Sequence, residues 1–252
     1  MRAYEKVLAA RKSGRPCGTD YINYIFEDFI EFHGDRRFSD DSAIVTGIAR
    51  LNKMPITVIA HEKGRDLKEN VVRNYGSAHP EGYRKALRQM KLAEKFRRPI
   101  ICFIDTSGAY CGIGAEERGQ GQAIAENLAE MSSLKTPIIS ILIGEGGSGG
   151  ALGIAVADEV WMLENSVYSV ISPEGCASIL WKDPKKAELA AESLKLTAED
   201  LLELKVIEKI IPETDTVYAD LKKNLIDTIG RLSNLSAKQL TDGRYGKFRK
   251  IR

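Results

Sequence analysis

The sequence has no two cysteines at CxxC spacing: Cys17, Cys102, Cys111 and Cys176 are scattered, which excludes a zinc ribbon or a thioredoxin-type redox pair within the chain. Unpaired cysteines in a chain of 252 residues fit a reducing compartment better than a disulfide scaffold. A large charge of either sign is also missing. With 37 basic and 35 acidic residues the formal net charge is +2, so no global field draws the chain to nucleic acid or to an anionic membrane. Long hydrophobic runs are absent as well. Pro99–Ile104 and Pro137–Ile143 are the longest, far short of the roughly 20 residues that cross a bilayer. Met1–Arg15 is charged without an apolar core, unlike a secretory leader. The expectation is a soluble, cytoplasmic protein.

What is present suits an α/β fold. A hydrophobic content of 43% over 252 residues is ample for one domain with a full core. Residues 1–35 read as helical, with Asp20 capping a segment in which Tyr21, Tyr24, Ile25 and Phe29 share a face. Ala43–Leu51 and Pro55–His61 read as strands joined by a hairpin turn at Asn52 and Lys53. Lys63–Pro80 is polar and irregular, and Glu81–Phe96 has helical spacing with basic residues on its polar face. A unit then repeats. Pro99–Asp105 is a strand, followed by the loop Thr106–Gly121 and the helix Gln122–Leu134; Pro137–Ile143 is a strand, followed by Gly144–Gly150 and a short helix, Ala151–Ala157. A third strand falls at Glu159–Leu163. Continuous apolar strands alternating with helices imply a parallel sheet buried on both faces. Ala187–Lys205 reads as helix with a capping box at Thr197 and Asp200, Val206–Ile211 as a last strand, and Val217–Leu232 as a helix leading into the basic tail Arg244–Arg252. No long linker appears, so one domain is expected over 1–252, with a helical segment 1–40, a core 41–212 and a helix and tail 213–252.

Two glycine-rich loops carry the chemistry. The first runs from Asp105 through Ser107, Gly108, Ala109 and Tyr110 to Gly121; the second is Gly144-Glu145-Gly146-Gly147-Ser148-Gly149-Gly150-Ala151. Both leave the carboxyl end of a parallel strand, where open α/β sheets bind ligands. Glycines that only permit tight turns are the plain alternative, weaker for two such loops in consecutive units. Gly144, Gly146 and Gly149 satisfy GxGxxG with Glu164 downstream, but the following helix is short and the unit sits mid-sheet. Ser148 satisfies GxSxG, yet His33, His61 and His79 all precede it, against the order an α/β hydrolase needs. No Lys-Ser or Lys-Thr pair follows the glycines, so nucleotide hydrolysis is unsupported. An oxyanion pocket of backbone amides remains.

The chain resembles the α subunits of bacterial-type acetyl-CoA carboxylase carboxyltransferases, a branch of the crotonase-like superfamily, from about Arg15 onward. The resemblance lies in Phe29–Arg36, Gly47–Leu51, Lys63–Asp66, His79–Ala86, Ala115–Gln120, Gly144–Ala151 and Ser172–Asp183, with Leu196–Ile211 similar to the helix–strand ending of crotonase-like and Clp-peptidase folds. Ser107 and Cys111 stand where many members carry proline. The resemblance implies a superhelix of ββα repeats with N- and C-terminal helices. It implies transfer of a carboxyl group from carboxybiotin, presented by the biotin carboxyl carrier protein, to acetyl-CoA, giving malonyl-CoA for fatty acid biosynthesis.

In such enzymes carboxybiotin releases carbon dioxide, the ureido anion takes the methyl proton, and the thioester enolate attacks carbon dioxide. Charge builds on two carbonyl oxygens, and each well-placed donor is worth about 10²–10³ in rate. By this resemblance the α chain holds the biotin side of an interfacial site. The Gly150 and Ala151 amides are the expected donors, with Gly149 shaping the turn; Gly108 and Ala109 are the second choice, and Gly146, Gly147, Ser148 and Tyr110 are expected to touch substrate. No metal is expected. The implied partners are a β subunit with a zinc ribbon, in an α2β2 heterotetramer, together with the carrier protein and biotin carboxylase. Two rivals stand beside this reading: a stand-alone enoyl-CoA hydratase or isomerase, and a non-catalytic scaffold subunit. Glu116, Glu117 and Arg118 read as dipole and ion-pair residues, His79 as a turn or cap, and Lys85, Arg88, Lys91, Lys95, Arg97 and Arg98 as a solvated basic face. Trp161 and Trp181 read as core or interface aromatics.

Overall fold

A computed structural model describes residues 1–251. The hairpin expected from sequence is present: β2 (Ile44–Leu51) pairs antiparallel with β3 (Met54–His61), and Asn52 and Lys53 at the turn both have positive φ, 48° and 71°. From β3 onward the sheet is parallel. β4 (Ile100–Thr106), β5 (Ile138–Gly147), β6 (Glu159–Leu163) and β8 (Lys209–Ile211) follow in order, while β7 (Val167–Ser169) pairs with the far end of β5.

The central strands are buried on both faces because successive side chains point opposite ways. Ile100, Cys102 and Ile104 of β4 enter one layer with Tyr83 and Met90 of α4 (Pro80–Lys95) and Ala123 and Met131 of α6 (Gln120–Ser133). Ile101 and Phe103 enter the opposite layer, with Tyr21 and Ile25 of α2 (Gly18–Ile25) and Leu221, Leu225 and Ile229 of α11 (Val217–Ser233). Each Ile, Leu, Met or Phe among these, fully removed from water, contributes about 1.5–3 kcal/mol.

Several expectations are corrected. Residues 1–35 are not one helical stretch: α1 (Ala3–Ala10) and α2 are followed by β1 (Glu27–Glu31), an edge strand antiparallel to β2. Phe29 therefore lies in a strand, and Asp20 is not the cap. It sits inside the first turn, where its carboxylate accepts the Cys17 N–H at 2.8 Å. The sheet thus begins before residue 41. The helix after the second glycine loop, α7 (Ser148–Leu152), starts three residues earlier than expected and is shorter. Ser148, at φ 48°, turns the chain from strand into helix.

The stretch 187–205 is broken into α9 (Ala187–Leu194) and α10 (Ala198–Glu203) at Lys195, which is left-handed. Thr197 caps α10 as read, and its hydroxyl accepts the Asp200 N–H. The last strand is only β8. The basic tail is a helix, α12 (Ala237–Lys250). Arg244 on it is buried and donates to the Met131, Leu134 and Thr136 carbonyls and to Asp158. Lys85 is no solvated cation either: it is 1% exposed, and its ammonium meets Asp40 Oδ1 and the Asp41 carbonyl, each at 2.6 Å. Trp161 is core, as read. Among the described residues no helix is long and apolar enough to cross a membrane.

Candidate functional site

The first glycine loop leaves the carboxyl end of β4, whereas Gly144–Gly147 of the second, expected as loop, are the last residues of the adjacent strand β5, and Ser148–Gly150 lead directly into α7; the two segments are packed against each other. A side chain at Gly147 would place its Cβ 2.0 Å from the Ser107 carbonyl oxygen, and one at Gly150 would come within 2.4 Å of the Ala109 nitrogen. Glycine is required at both positions by this approach, whatever the turn geometry. Gly150, from the first-choice donor pair Gly150 and Ala151, is therefore brought against Gly108 and Ala109, the second-choice pair.

The loops are moored from several sides. Thr106 Oγ1 accepts the Gly108 N–H at 3.1 Å and donates to the Gly108 carbonyl at 2.8 Å, so the Gly108 amide already has a partner. Tyr110 donates its N–H to the Ala78 carbonyl at 3.0 Å, and Gln120 Nε2 donates to both the Ala78 and Tyr110 carbonyls at 2.8 Å. The Tyr110 ring stacks on His79 with centroids 4.1 Å apart. His79, the residue before α4, is held in turn by Asp41, which accepts its N–H at 2.9 Å. On the second loop, the buried Tyr83 hydroxyl donates to the Gly150 carbonyl at 3.1 Å, and Asn127 Nδ2 donates to the Gly153 carbonyl at 2.9 Å. These bonds occupy carbonyls and leave the first-turn amides alone.

Helix geometry sets which amides of α7 are open. The N–H groups of the first helical residues have no intrahelical acceptor, and here those are Ser148, Gly149 and Gly150. Ala151 is the fourth residue, the first whose N–H faces an intrahelical carbonyl, that of Gly147. Starting the helix three residues earlier thus moves the open donors toward Gly149 and Gly150. Gly146 is packed under Leu142 and beside Tyr168. Ser148 forms no side-chain hydrogen bond among the described residues, and none of the three histidines reaches it, so nothing activates it as a nucleophile. Lys6 Nζ donates to the Glu164 main-chain carbonyl at 2.9 Å, and the Glu164 carboxylate accepts the Glu213 N–H at 3.4 Å.

Two openings flank the loops. One, of about 350 Å³, is mostly apolar: Ser148, Gly149 and Leu152 of α7 face Tyr168, Val170 and Phe248 across it. The other, of about 460 Å³, carries charged residues in its lining, among them Arg11, Arg15, Lys63, Asp105 and Glu145, beside Ser107. Burial opposes ionisation of Glu145, but Lys63 and Arg11 outweigh it and hold the carboxyl below the usual range. Burial likewise works against the Lys63 ammonium, and Asp105 with Glu145 overcomes it, raising its pKa. Glu116 and Glu117 are exposed, and Arg118 pairs with Glu81 at 2.8 Å, as an ion-pair reading requires. Among the described residues no cluster of three or more His, Cys, Asp or Glu could hold a metal ion.

Sequence reasoning missed Phe248 and the buried cluster around Lys63. The spacing of Leu240, Arg244 and Phe248, one helical turn each, was the available signal for Phe248. Lys63 stood in one of the strings that carry the resemblance, but its pairing with Asp105 and Glu145 had no sequence signal, since those partners are distant in the chain.

The profile of the acetyl co-enzyme A carboxylase carboxyltransferase-like family matches residues 1–252. The acetyl-coenzyme A carboxylase carboxyl transferase subunit alpha of Ruminiclostridium cellulolyticum is 64% identical, covering 100% of this chain and 98% of its own. A Natranaerobius thermophilus protein named as carboxyl transferase subunits beta/alpha is 60% identical over 100% of this chain, which spans 43% of it. Among solved structures, transcarboxylase 12S with methylmalonyl-coenzyme A bound superposes with a TM-score of 0.75 at 17% identity, over 89% of this chain and 42% of that one. A chain of a Pseudomonas malonate decarboxylase hetero-tetramer does so with a TM-score of 0.68 at 16% identity, over 85% of this chain and 88% of that one. The fold is that of these crotonase-like enzymes.

Proposed function

We propose roles for the two loops from one premise: the chain belongs to the acetyl-coenzyme A carboxylase carboxyltransferase α-subunit family. It is the α component of an enzyme that transfers a carboxyl group in acetyl-CoA carboxylation, and the hydratase and scaffold alternatives are not favoured. Its substrates are taken to be carboxybiotin, brought by a separate carrier protein, and acetyl-CoA, whose coenzyme A moiety is held largely by a β chain. In this proposal the chain works in an α2β2 assembly in the cytoplasm, as expected of the family. The beta/alpha fusion in Natranaerobius supports the pairing. So does Ile113, which is 81% exposed just after Tyr110 and suited to burial by a partner.

In this reading the Gly149 and Gly150 amides, joined by Ala109 across the loop contact, donate to the ureido carbonyl oxygen of biotin as it becomes anionic. The apolar cleft beside Ser148, Gly149 and Phe248 takes the bicyclic ring. Gly150 is common to this assignment and to the one made from sequence. Transfer then needs no protein base: the biotin anion left by loss of carbon dioxide takes the acetyl methyl proton, and the enolate attacks carbon dioxide. The observation behind the proposal is the close approach of Gly150 to Ala109, which packs the first turn of α7 against the first glycine loop, next to a cleft that Ser148 and Gly149 line. Donors fixed before the charge develops cost no reorganisation during the reaction.

The test is reconstitution. The lone chain is expected to be inactive, and adding a β partner, carboxylated carrier and acetyl-CoA is expected to give malonyl-CoA. No product with a competent β chain, or crotonyl-CoA hydration by the lone chain, would reject the proposal.

A further inference from the structure

The motif Lys63-Gly64-Arg65-Asp66 has no role in the amide pocket itself, yet Lys63 bridges acidic residues of β4 and β5, the two strands that lead into it. Asp105 closes β4 at the root of the first glycine loop, and Glu145 lies at the root of the second. Lys63 Nζ donates to Asp105 Oδ1 at 2.6 Å and to Glu145 Oε2 at 3.0 Å. Asp105 Oδ1 also accepts the Glu145 backbone N–H at 2.9 Å, so the two roots are joined by main chain and by charge. Arg11 Nε holds the other oxygen of Glu145 at 2.7 Å and passes on to Glu174 at 2.8 Å. The side chains of Asp105 and Glu145 are 7% and 13% exposed, so water screens this cluster poorly.

We propose that Lys63 is a positioning residue for carboxyl transfer: its single charge ties the carboxylates at the roots of both glycine loops and so holds the Ala109 and Gly150 amides at one point. Lys63 does not reach the amide pocket and acts through loop geometry. Without it, Arg11 still offsets Glu145 but does not pair with Asp105, and two carboxylates so placed in a poorly hydrated site repel. Relief comes by separating the loop roots, which moves apart donors that must converge. A misplacement of about 1 Å costs on the order of 10² in rate.

This inference rests on the amide-pocket reading, and the experiment separates the two. Reconstituted complexes carrying wild-type chain, Lys63→Met, and Lys63→Met with Glu145→Gln are assayed for malonyl-CoA, with rates normalised to assembled complex by size-exclusion chromatography. Lys63→Met is expected to lower kcat about 10²-fold with KM for acetyl-CoA within about threefold, the pattern of a lost transition-state interaction. The double variant, which removes the repelling pair, is expected to recover at least about tenfold, a coupling that independent sites do not show. Lys63→Met with kcat within threefold of wild type, or a double variant no better than the single one, overturns the proposal. A wild-type complex that makes no malonyl-CoA strikes the parent reading; an active wild type indifferent to Lys63→Met strikes only this one.

Discussion

Replacing Gly150 with alanine adds one methyl group where the two glycine loops meet, and its effect can be worked out from the contact. The new carbon would lie 2.4 Å from the Ala109 nitrogen, 2.6 Å from the Gly108 carbonyl carbon and 3.0 Å from the Gly108 Cα. An ordinary contact begins near 3.4 Å, so the loops must separate by about 1 Å. These three atoms are all backbone, and no flexible side chain can yield instead. Overpacking of this kind costs about 1–3 kcal/mol, which a fold stable by about 5–15 kcal/mol survives. The same displacement moves an amide off its target, and kcat is expected to fall about 10²-fold, with kcat/KM following it. Steady-state malonyl-CoA formation by the reconstituted complex measures this. Gly230→Ala is the control: its Cβ meets nothing within 4 Å inside α11, so it should raise stability by roughly 0.5–1 kcal/mol and leave kcat alone. Gly150→Ala turning over within threefold of wild type in a fully assembled complex would refute the reasoning.

Arg244→Met removes the partner of the buried Asp158 and frees three carbonyls, so urea unfolding should show a loss of about 3–5 kcal/mol. His61 is fully buried, both its ring nitrogens lack partners, and burial pushes its pKa down to about 3. Because the folded value lies below the unfolded one, the unfolded chain takes up the proton first, and stability falls as pH drops below about 6.5. Between pH 7 and pH 5 this group should cost about 2 kcal/mol, measured as the difference in unfolding free energy and absent in His61→Met. Phe248→Ala removes about 1 kcal/mol of apolar contact from the cleft. It should raise KM for the carboxylated carrier about fivefold with little change in kcat, as progress curves at varied carrier concentration would show.

The elements legible in the sequence are those whose own residues dictate them. The β2–β3 hairpin is marked by Asn52 between two strand-like runs, β4 and β5 by unbroken β-branched stretches, and α4 by helical spacing behind Pro80. The elements missed depend on partners elsewhere. Glu27–Glu31 has both faces largely exposed and is a strand only because β2 offers it an edge. The start of α7 is hidden because glycine has little preference of its own, so the turn at Ser148 is set by the loop packed on it. Lys85 and Arg244 look like surface cations among other basic residues, and their acids, Asp40 and Asp158, lie far away in sequence. The candidate site divides in the same way. Both glycine loops stand out at once, whereas their contact, and the charge cluster below it, exist only when β3, β4 and β5 are adjacent.

Arg244 and Phe248 lie one turn apart on α12, the first seated beneath the sheet and the second forming a wall of the apolar cleft. Docking of that helix and filling of that cleft are therefore thermodynamically linked: whatever occupies the cleft must protect the amides of α12 from hydrogen exchange, and fraying of the helix must weaken the occupant's hold by the same factor.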